Sequence, residues 1–329
     1  MNVALLFRET LTLLSGSMNM TLLKLRGCLF AFLSVALPAS TPAQTNAPTA
    51  KSSPATAPVS QEIVVLHDVV IGKGGDRDLH AEIAYPKGAT APLTALIYVH
   101  GGGWAAGTDK QSPIVELAQA GFFAASIEYR LSGEAKWPAQ IQDCRLGVRW
   151  LRANAAQYHI DPNHIGVWGD SAGGHLVACL GTMNDVKEYE GDGGYPKMSS
   201  AVQAVVDYFG PTDFSDPADA SRDTAVEALL GVPYAQNPDL WKKASPLLYV
   251  KAGDPPVFIA HGDADVTVPI DQSILFDAAL AKAGVPHQFL IVKNAGHGFA
   301  AKPGTTINPS IADIHKAVFA FLNKYLKTP

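Results

Sequence analysis

The stretch Gly169-Asp170-Ser171-Ala172-Gly173-Gly174 constrains this chain more than any other. It follows the apolar run His164-Ile165-Gly166-Val167-Trp168 and precedes Leu176-Val177-Ala178-Cys179-Leu180, which suits a helix. A strand, a serine flanked by glycines and a helix make a sharp turn that lifts a hydroxyl above the end of a sheet. Glycines two before and two after the serine let strand and helix pass closely. In a chain with 29 glycines the pattern alone is a weak signal, so its meaning rests on partners elsewhere.

Three such partners are present. His100-Gly101-Gly102-Gly103-Trp104 follows the strand-like run Ala95–Val99, and His261-Gly262-Asp263-Ala264-Asp265-Val266-Thr267-Val268-Pro269 follows Val257–Ala260. The third, Asn294-Ala295-Gly296-His297-Gly298-Phe299, follows Phe289–Val292. A neutral hydroxyl needs a base within hydrogen-bond reach to attack a carbonyl. His297, in a short glycine-flanked loop after a strand, is the candidate. His100 and His261 belong to glycine motifs at strand ends and suit the fixing of loop backbone, while His287 opens a strand and His315 lies on a helix face. A carboxylate must then orient the imidazole; Asp263 and Asp265 both stand close by, and spacing does not choose between them.

With these four motifs in register, the chain resembles the α/β-hydrolase superfamily, and within it the HGGG-bearing esterases of the hormone-sensitive-lipase and feruloyl/acetylxylan-esterase type. The order serine, acid, histidine is that superfamily's. The resemblance implies a three-layer α/β/α fold with a mostly parallel eight-stranded sheet and a small cap insertion. It also implies a triad of Ser171, His297 and Asp265, Asp263 being left to cap the turn. Backbone N–H groups of Gly102, Gly103 and Ala172 would form an oxyanion hole. Trp104 either floors the pocket or packs under its loop. Asp170 matches the family's G-D-S-A-G form without an independent physical role. No cofactor or metal is expected, since no phosphate loop, dinucleotide fingerprint or zinc spacing occurs.

The pattern along residues 62–329 agrees with this. Ile63–Ile71 and Leu79–Tyr85 read as an edge hairpin joined through Gly72, Gly74 and Gly75. Ala95–Val99, Phe123–Ile127, Ile165–Trp168, Val202–Phe209, Val257–Ala260 and Phe289–Val292 are short continuous apolar runs, the mark of parallel strands covered on both faces. Helical spacing links Ile141, Cys144, Val148, Leu151 and Ala155 behind Pro138, and again Ile311, Ile314, Val318, Phe321 and Tyr325. Residues 182–200 and 211–255 interrupt the alternation. The second stretch holds helix candidates at Asp223–Leu230 and Asp239–Ala244, and is either a cap over the site or a solvated insertion.

Residues 1–43 carry Lys24 and Arg26, the apolar run Cys28–Leu37 and small residues around Thr41 and Ala43, the composition of a cleaved signal peptide. Met18 or Met20 would give that leader a more ordinary length. Cys28 precedes the apolar run, which does not suit lipidation, and the run is too short for a comfortable bilayer span. Residues 44–61 are a Pro/Ala/Thr linker that cannot bury enough apolar area to order itself. A secreted or periplasmic protein without a stable membrane anchor is expected. A net charge of −5 without a basic block argues against nucleic acid as a partner. Cys144 and Cys179, on apolar helix faces, are expected as buried free thiols.

The leading functional expectation is an exported serine carboxylesterase acting on small or polysaccharide-linked esters, such as acetyl or feruloyl groups on plant polysaccharide. Arylformamidase-like amide hydrolysis shares the H-G-G-x-W loop and triad. A catalytically silent binding protein is the third reading, against which stands the presence of all three triad residue types.

Overall fold

The structure, a computed structural model, describes residues 62–220 and 224–327. Residues 1–43 and 44–61, expected as a signal peptide and a linker, lie outside the described residues. One sheet of eight strands runs in the order β1-β2-β4-β3-β5-β6-β7-β8. The strands are β1 (Ile63–Gly74), β2 (Arg77–Pro86), β3 (Leu93–Val99), β4 (Phe123–Ile127), β5 (Ile160–Asp170), β6 (Ala204–Tyr208), β7 (Val257–Gly262) and β8 (His287–Val292). β1 and β2 pair antiparallel, β2 meets β4 antiparallel, and every pairing from β4 through β8 is parallel. This is the α/β-hydrolase architecture.

Burial explains which runs became which strands. β4, β6 and β7 are buried at every position, as continuous Val/Ile/Ala/Phe runs demand of strands covered on both faces. The edge strand β1 mixes exposed and half-buried residues. Its turn falls at Gly75-Asp76; Gly72 and Gly74 lie within β1, where the expected hairpin had made them part of the connection. Gly72 there has a positive φ of 147° beside a register shift, which only glycine adopts without strain. β5 starts five residues earlier than the apolar run suggests, because Leu93 pairs with Ile160.

The helices are α1 (Ile114–Gln119), α2 (Ala139–Ala153), α3 (Ala155–Tyr158), α4 (Ala172–Thr182), α5 (Pro217–Ala220), α6 (Thr224–Leu230), α7 (Pro238–Lys243), α8 (Asp271–Ala283) and α9 (Ile311–Tyr325). One face of the sheet packs against α2, α4 and α8 through residues such as Ile141, Val148, Leu176, Leu180, Phe276 and Leu280. The other packs against α1 and α9 through Leu117, Ile314, Val318 and Phe321. Each fully buried Leu or Ile contributes about 1.5–3 kcal/mol relative to exposure. Ser310 caps α9 by accepting from Asp313 N, and Gly284, at φ 71°, ends α8. Cys144 and Cys179 are buried free thiols.

Parallel register sets the site. Val99 pairs with Gly169, Asp170 with Tyr208, Tyr208 with Ala260 and Gly262 with Val292. The C-terminal ends of β3, β5, β6, β7 and β8 therefore share one edge, and the loops that follow them converge there. No helix among the described residues is long and apolar enough to cross a membrane.

Candidate active site

Ser171 sits between β5 and α4 at φ 53°, ψ −119°, a region that a residue with a Cβ rarely occupies. The flanking glycines make the turn possible. A Cβ on Gly169 would lie 2.3 Å from the Gly173 carbonyl oxygen, and one on Gly173 only 2.0 Å from that of Val99. Ser171 N donates to the Tyr208 carbonyl, which ties the turn to β6.

The Ser171 hydroxyl is 2.9 Å from His297 Nε2, and His297 Nδ1 is 2.7 Å from Asp265 Oδ2. Three loops 126 and 32 residues apart in sequence thus form one hydrogen-bonded row. His297 enters a short 3-10 turn behind Gly296, and Phe209 meets its ring edge-on with centroids 4.9 Å apart.

Asp265 Oδ1 accepts from Thr267 N at 2.8 Å and Val268 N at 3.0 Å, while the buried His261 ring stands 3.5 Å from Oδ2. Burial pushes this carboxyl up, but His261, His297 and the two amides outweigh burial and hold it well below the usual carboxylate range. It is Asp265 that caps the turn 265–268. Asp263 instead accepts from Asn294 N at 2.8 Å and stands 3.4 Å from Lys293 Nζ, so it fastens the neighbouring strand's loop and not its own turn. The reason is geometric: the side chain that reaches the histidine is already placed over the amides of residues 267 and 268.

His261 and His100 both fix backbone. His261 Nε2 is 2.9 Å from the Val268 carbonyl and His100 Nδ1 2.8 Å from that of Gly101. Gly102 and Gly103 have φ of 107° and 61°, and Ala172 opens α4. Among the described residues none accepts a hydrogen bond from the N–H groups of Gly102, Gly103 or Ala172. Ala106 N and Ala105 N close the glycine loop onto the Gly102 carbonyl.

Two contacts escape sequence reading. Asp170 accepts from the Tyr98 hydroxyl, and burial pushes its carboxyl up. A Cβ on Gly101 would lie 2.7 Å from Asp170 Oδ2, so this carboxylate is packed under the glycine loop. His175, one turn along α4 from the serine, is fully buried, which lowers its imidazole to about 4 and keeps it neutral. Trp104 Nε1 donates to His175 Nδ1 at 3.2 Å, and His175 Nε2 is 2.8 Å from the Ala244 carbonyl. One ring thereby joins the glycine loop, α4 and the end of α7. Nothing in the residue pattern around Gly174-His175 announces this.

A cavity of about 520 Å³ opens beside Ser171. Its lining includes Trp104, Phe214 and Trp241 together with Val266, Thr267, Val268 and Pro269. Trp104 lines this cavity while buried against His175. Thr224 and Ala225 of α6 and Trp241 of α7 come from the 211–255 insertion, which is a wall of the site and not a detached surface loop.

The model of the BD-FAE family matches residues 81–280. Esterase LipC of Mycobacterium tuberculosis is 32% identical over 244 residues, covering 71% of this chain and 59% of LipC. Esterase LipQ of the same organism is 34% identical over 244 residues, covering 70% and 56%. The chain thus spans less than two thirds of the length of these relatives. A solved truncated form of a carbohydrate esterase from gut microbiota superposes with a TM-score of 0.71 at 33% identity, over 82% of this chain and 98% of that one.

Proposed function

The chain belongs to the BD-FAE family and carries the α/β-hydrolase fold, and from that premise we propose that it is a serine carboxylesterase, exported, acting on esters of modest size such as acyl groups on plant polysaccharide. The observation that carries the reading is the row Ser171, His297, Asp265, closed at 2.9 and 2.7 Å beside a cavity. Relatives named as esterases, and a structural neighbour named as a carbohydrate esterase, support the ester and the sugar respectively. Export is supported by the leader-like composition of residues 1–43.

In this mechanism Ser171 Oγ attacks the ester carbonyl as its proton passes to His297 Nε2. Asp265 keeps Nδ1 protonated and stabilises the imidazolium. The low proton affinity of Asp265 ensures that the proton stays on the ring. The carbonyl oxygen, now negative, takes hydrogen bonds from the amides of Gly102, Gly103 and Ala172; each such donor supplies about 3 kcal/mol. His297 returns its proton to the alkoxide, the alcohol departs, and the acyl group stays on Ser171. A water molecule then gives a proton to His297 and its hydroxide equivalent to the acyl carbon; as the acyl C–Oγ bond breaks, His297 passes that proton to Ser171 Oγ and the acid is released.

The test is a substrate panel of p-nitrophenyl acetate, acetylated xylan, methyl ferulate and N-formylkynurenine. Turnover of the esters above the amide is expected. Preference for N-formylkynurenine would replace the esterase reading with that of an amide hydrolase.

A further inference from the structure

Proton transfer says which side of the cavity faces the alcohol. His297 Nε2 must reach the leaving oxygen to protonate it. Residues 266–269, which line the cavity, follow directly on Asp265, whose Oδ2 holds His297, so the leaving group is assigned to their side. Asp213 and Gln272 also line the cavity. Pro269 leads directly into α8, which carries Gln272.

Asp213 is held there with unusual firmness. Gln272 Oε1 accepts from both Thr212 N and Asp213 N at 2.7 Å, and Gln272 Nε2 donates to the Asp213 carbonyl at 3.1 Å. The Thr212 hydroxyl adds a bond to the Gln272 carbonyl at 2.9 Å. These contacts lock backbone and leave the Asp213 side chain free of them. Its Oδ1 accepts from Ser215 N at 2.8 Å; among the described residues no donor or cation reaches Oδ2. A carboxylate oxygen with spare acceptor capacity thus belongs to a residue that lines the cavity and is tied through Gln272 to the helix that follows Pro269.

We propose that Asp213 is the specificity-determining residue for the alcohol, accepting a hydrogen bond from a hydroxyl adjacent to the esterified oxygen. The preferred substrates are then esters of vicinal diols, as in partly acylated sugars, over esters of simple alkanols. This inference rests on the esterase reading above and deepens it. A charged acceptor suits the purpose, because a hydrogen bond to a carboxylate is worth roughly tenfold or more in discrimination.

The experiment is a cycle of two changes, one in the protein and one in the substrate. kcat/KM is measured for methyl 2-O-acetyl-β-xylopyranoside and for its 3-deoxy analogue, with the wild-type protein and Asp213→Asn. The wild type should favour the hydroxylated substrate about tenfold. In Asp213→Asn that ratio should shrink to about threefold or less, because an amide accepts more weakly than a carboxylate. A ratio that is the same in both proteins, or a wild type indifferent to the hydroxyl, would overturn the proposal. The wild-type comparison stands even if the variant does not fold. Should p-nitrophenyl acetate also go unhydrolysed, the esterase reading itself fails, which separates the two failures.

Discussion

β6 and β7 lie side by side, and each places a buried aspartate near its end with a different fate. Asp265, after β7, receives two backbone amides and two imidazoles and is held well below the usual carboxylate range. Asp207, on β6, is fully buried with one amide, that of Gly210 at 2.9 Å, and its Oδ2 has no partner among the described residues. Burial pushes its carboxyl up to about 6, against the weaker pull of Gly210 N and His261. The difference teaches that depth alone does not decide charge in this protein. At these two sites the aimed donors do, and they are gathered around the aspartate that faces His297.

The largest expected effect is at the charged member of the pair. Asp265→Asn should reduce kcat on p-nitrophenyl acetate by about 10⁴, because an amide at that position favours the wrong imidazole tautomer. The same change at Asp207 should cost less than tenfold in kcat, and equal losses would erase the contrast.

The second effect is on stability and has opposite signs at the two sites. Asp207 has a raised value in the folded chain, so its contribution is intact below about 4 and is lost as pH rises through about 6. Asp207→Asn should therefore gain on the wild type between pH 4 and pH 8, by at most about 3 kcal/mol for a shift of this size. Asp265 has a lowered value, so its contribution is present at neutral pH and fades in acid. Thermal melts of Asp207→Asn from pH 4 to 8, and of Asp265→Asn from about pH 5 downward into acid, check the two slopes against the wild type, and slopes of the same sign would break the comparison.

Gly174→Ala probes the packing that keeps Asp207 dry. The added Cβ would lie 2.4 Å from Asp207 Oδ1 and 2.8 Å from Gly210 Cα, so backbone must shift. A loss of about 1–3 kcal/mol in urea unfolding is expected. Ser273→Ala acts between the sites, removing the hydroxyl 2.7 Å from His261 Nδ1. About 1 kcal/mol of stability should go with it, read from the same unfolding curves.

Much of the fold was legible because parallel strands buried on both faces announce themselves as continuous apolar runs. Phe123–Ile127 coincides with β4, and Val257–Ala260 with all but the end of β7. The helices α6, α7 and α9 fell within a residue or so of expectation. The long start of β5 did not, because Asp161, Pro162 and Asn163 do not read as strand and are held by pairing Ile160 to Leu93. Helices α1 and α8 were passed over. α1 is a single short span, and α8 leaves Ile274 and Leu275 exposed, which blurs its periodicity. At the site, glycine motifs named the serine loop and its neighbours. The division of labour between Asp263 and Asp265 was not readable from spacing, since both lie within three residues of the end of β7. The ring of His175 was equally hidden, because its partners Trp104 and Ala244 lie 71 and 69 residues away.

The most direct test of the central claim is peptide mapping after reaction with a fluorophosphonate. The account predicts a single phosphonylated peptide with the adduct on Ser171, lost in Ser171→Ala and slowed at least a hundredfold in Asp265→Asn. Folded protein that stays unlabelled, or carries the adduct on another side chain, would contradict it.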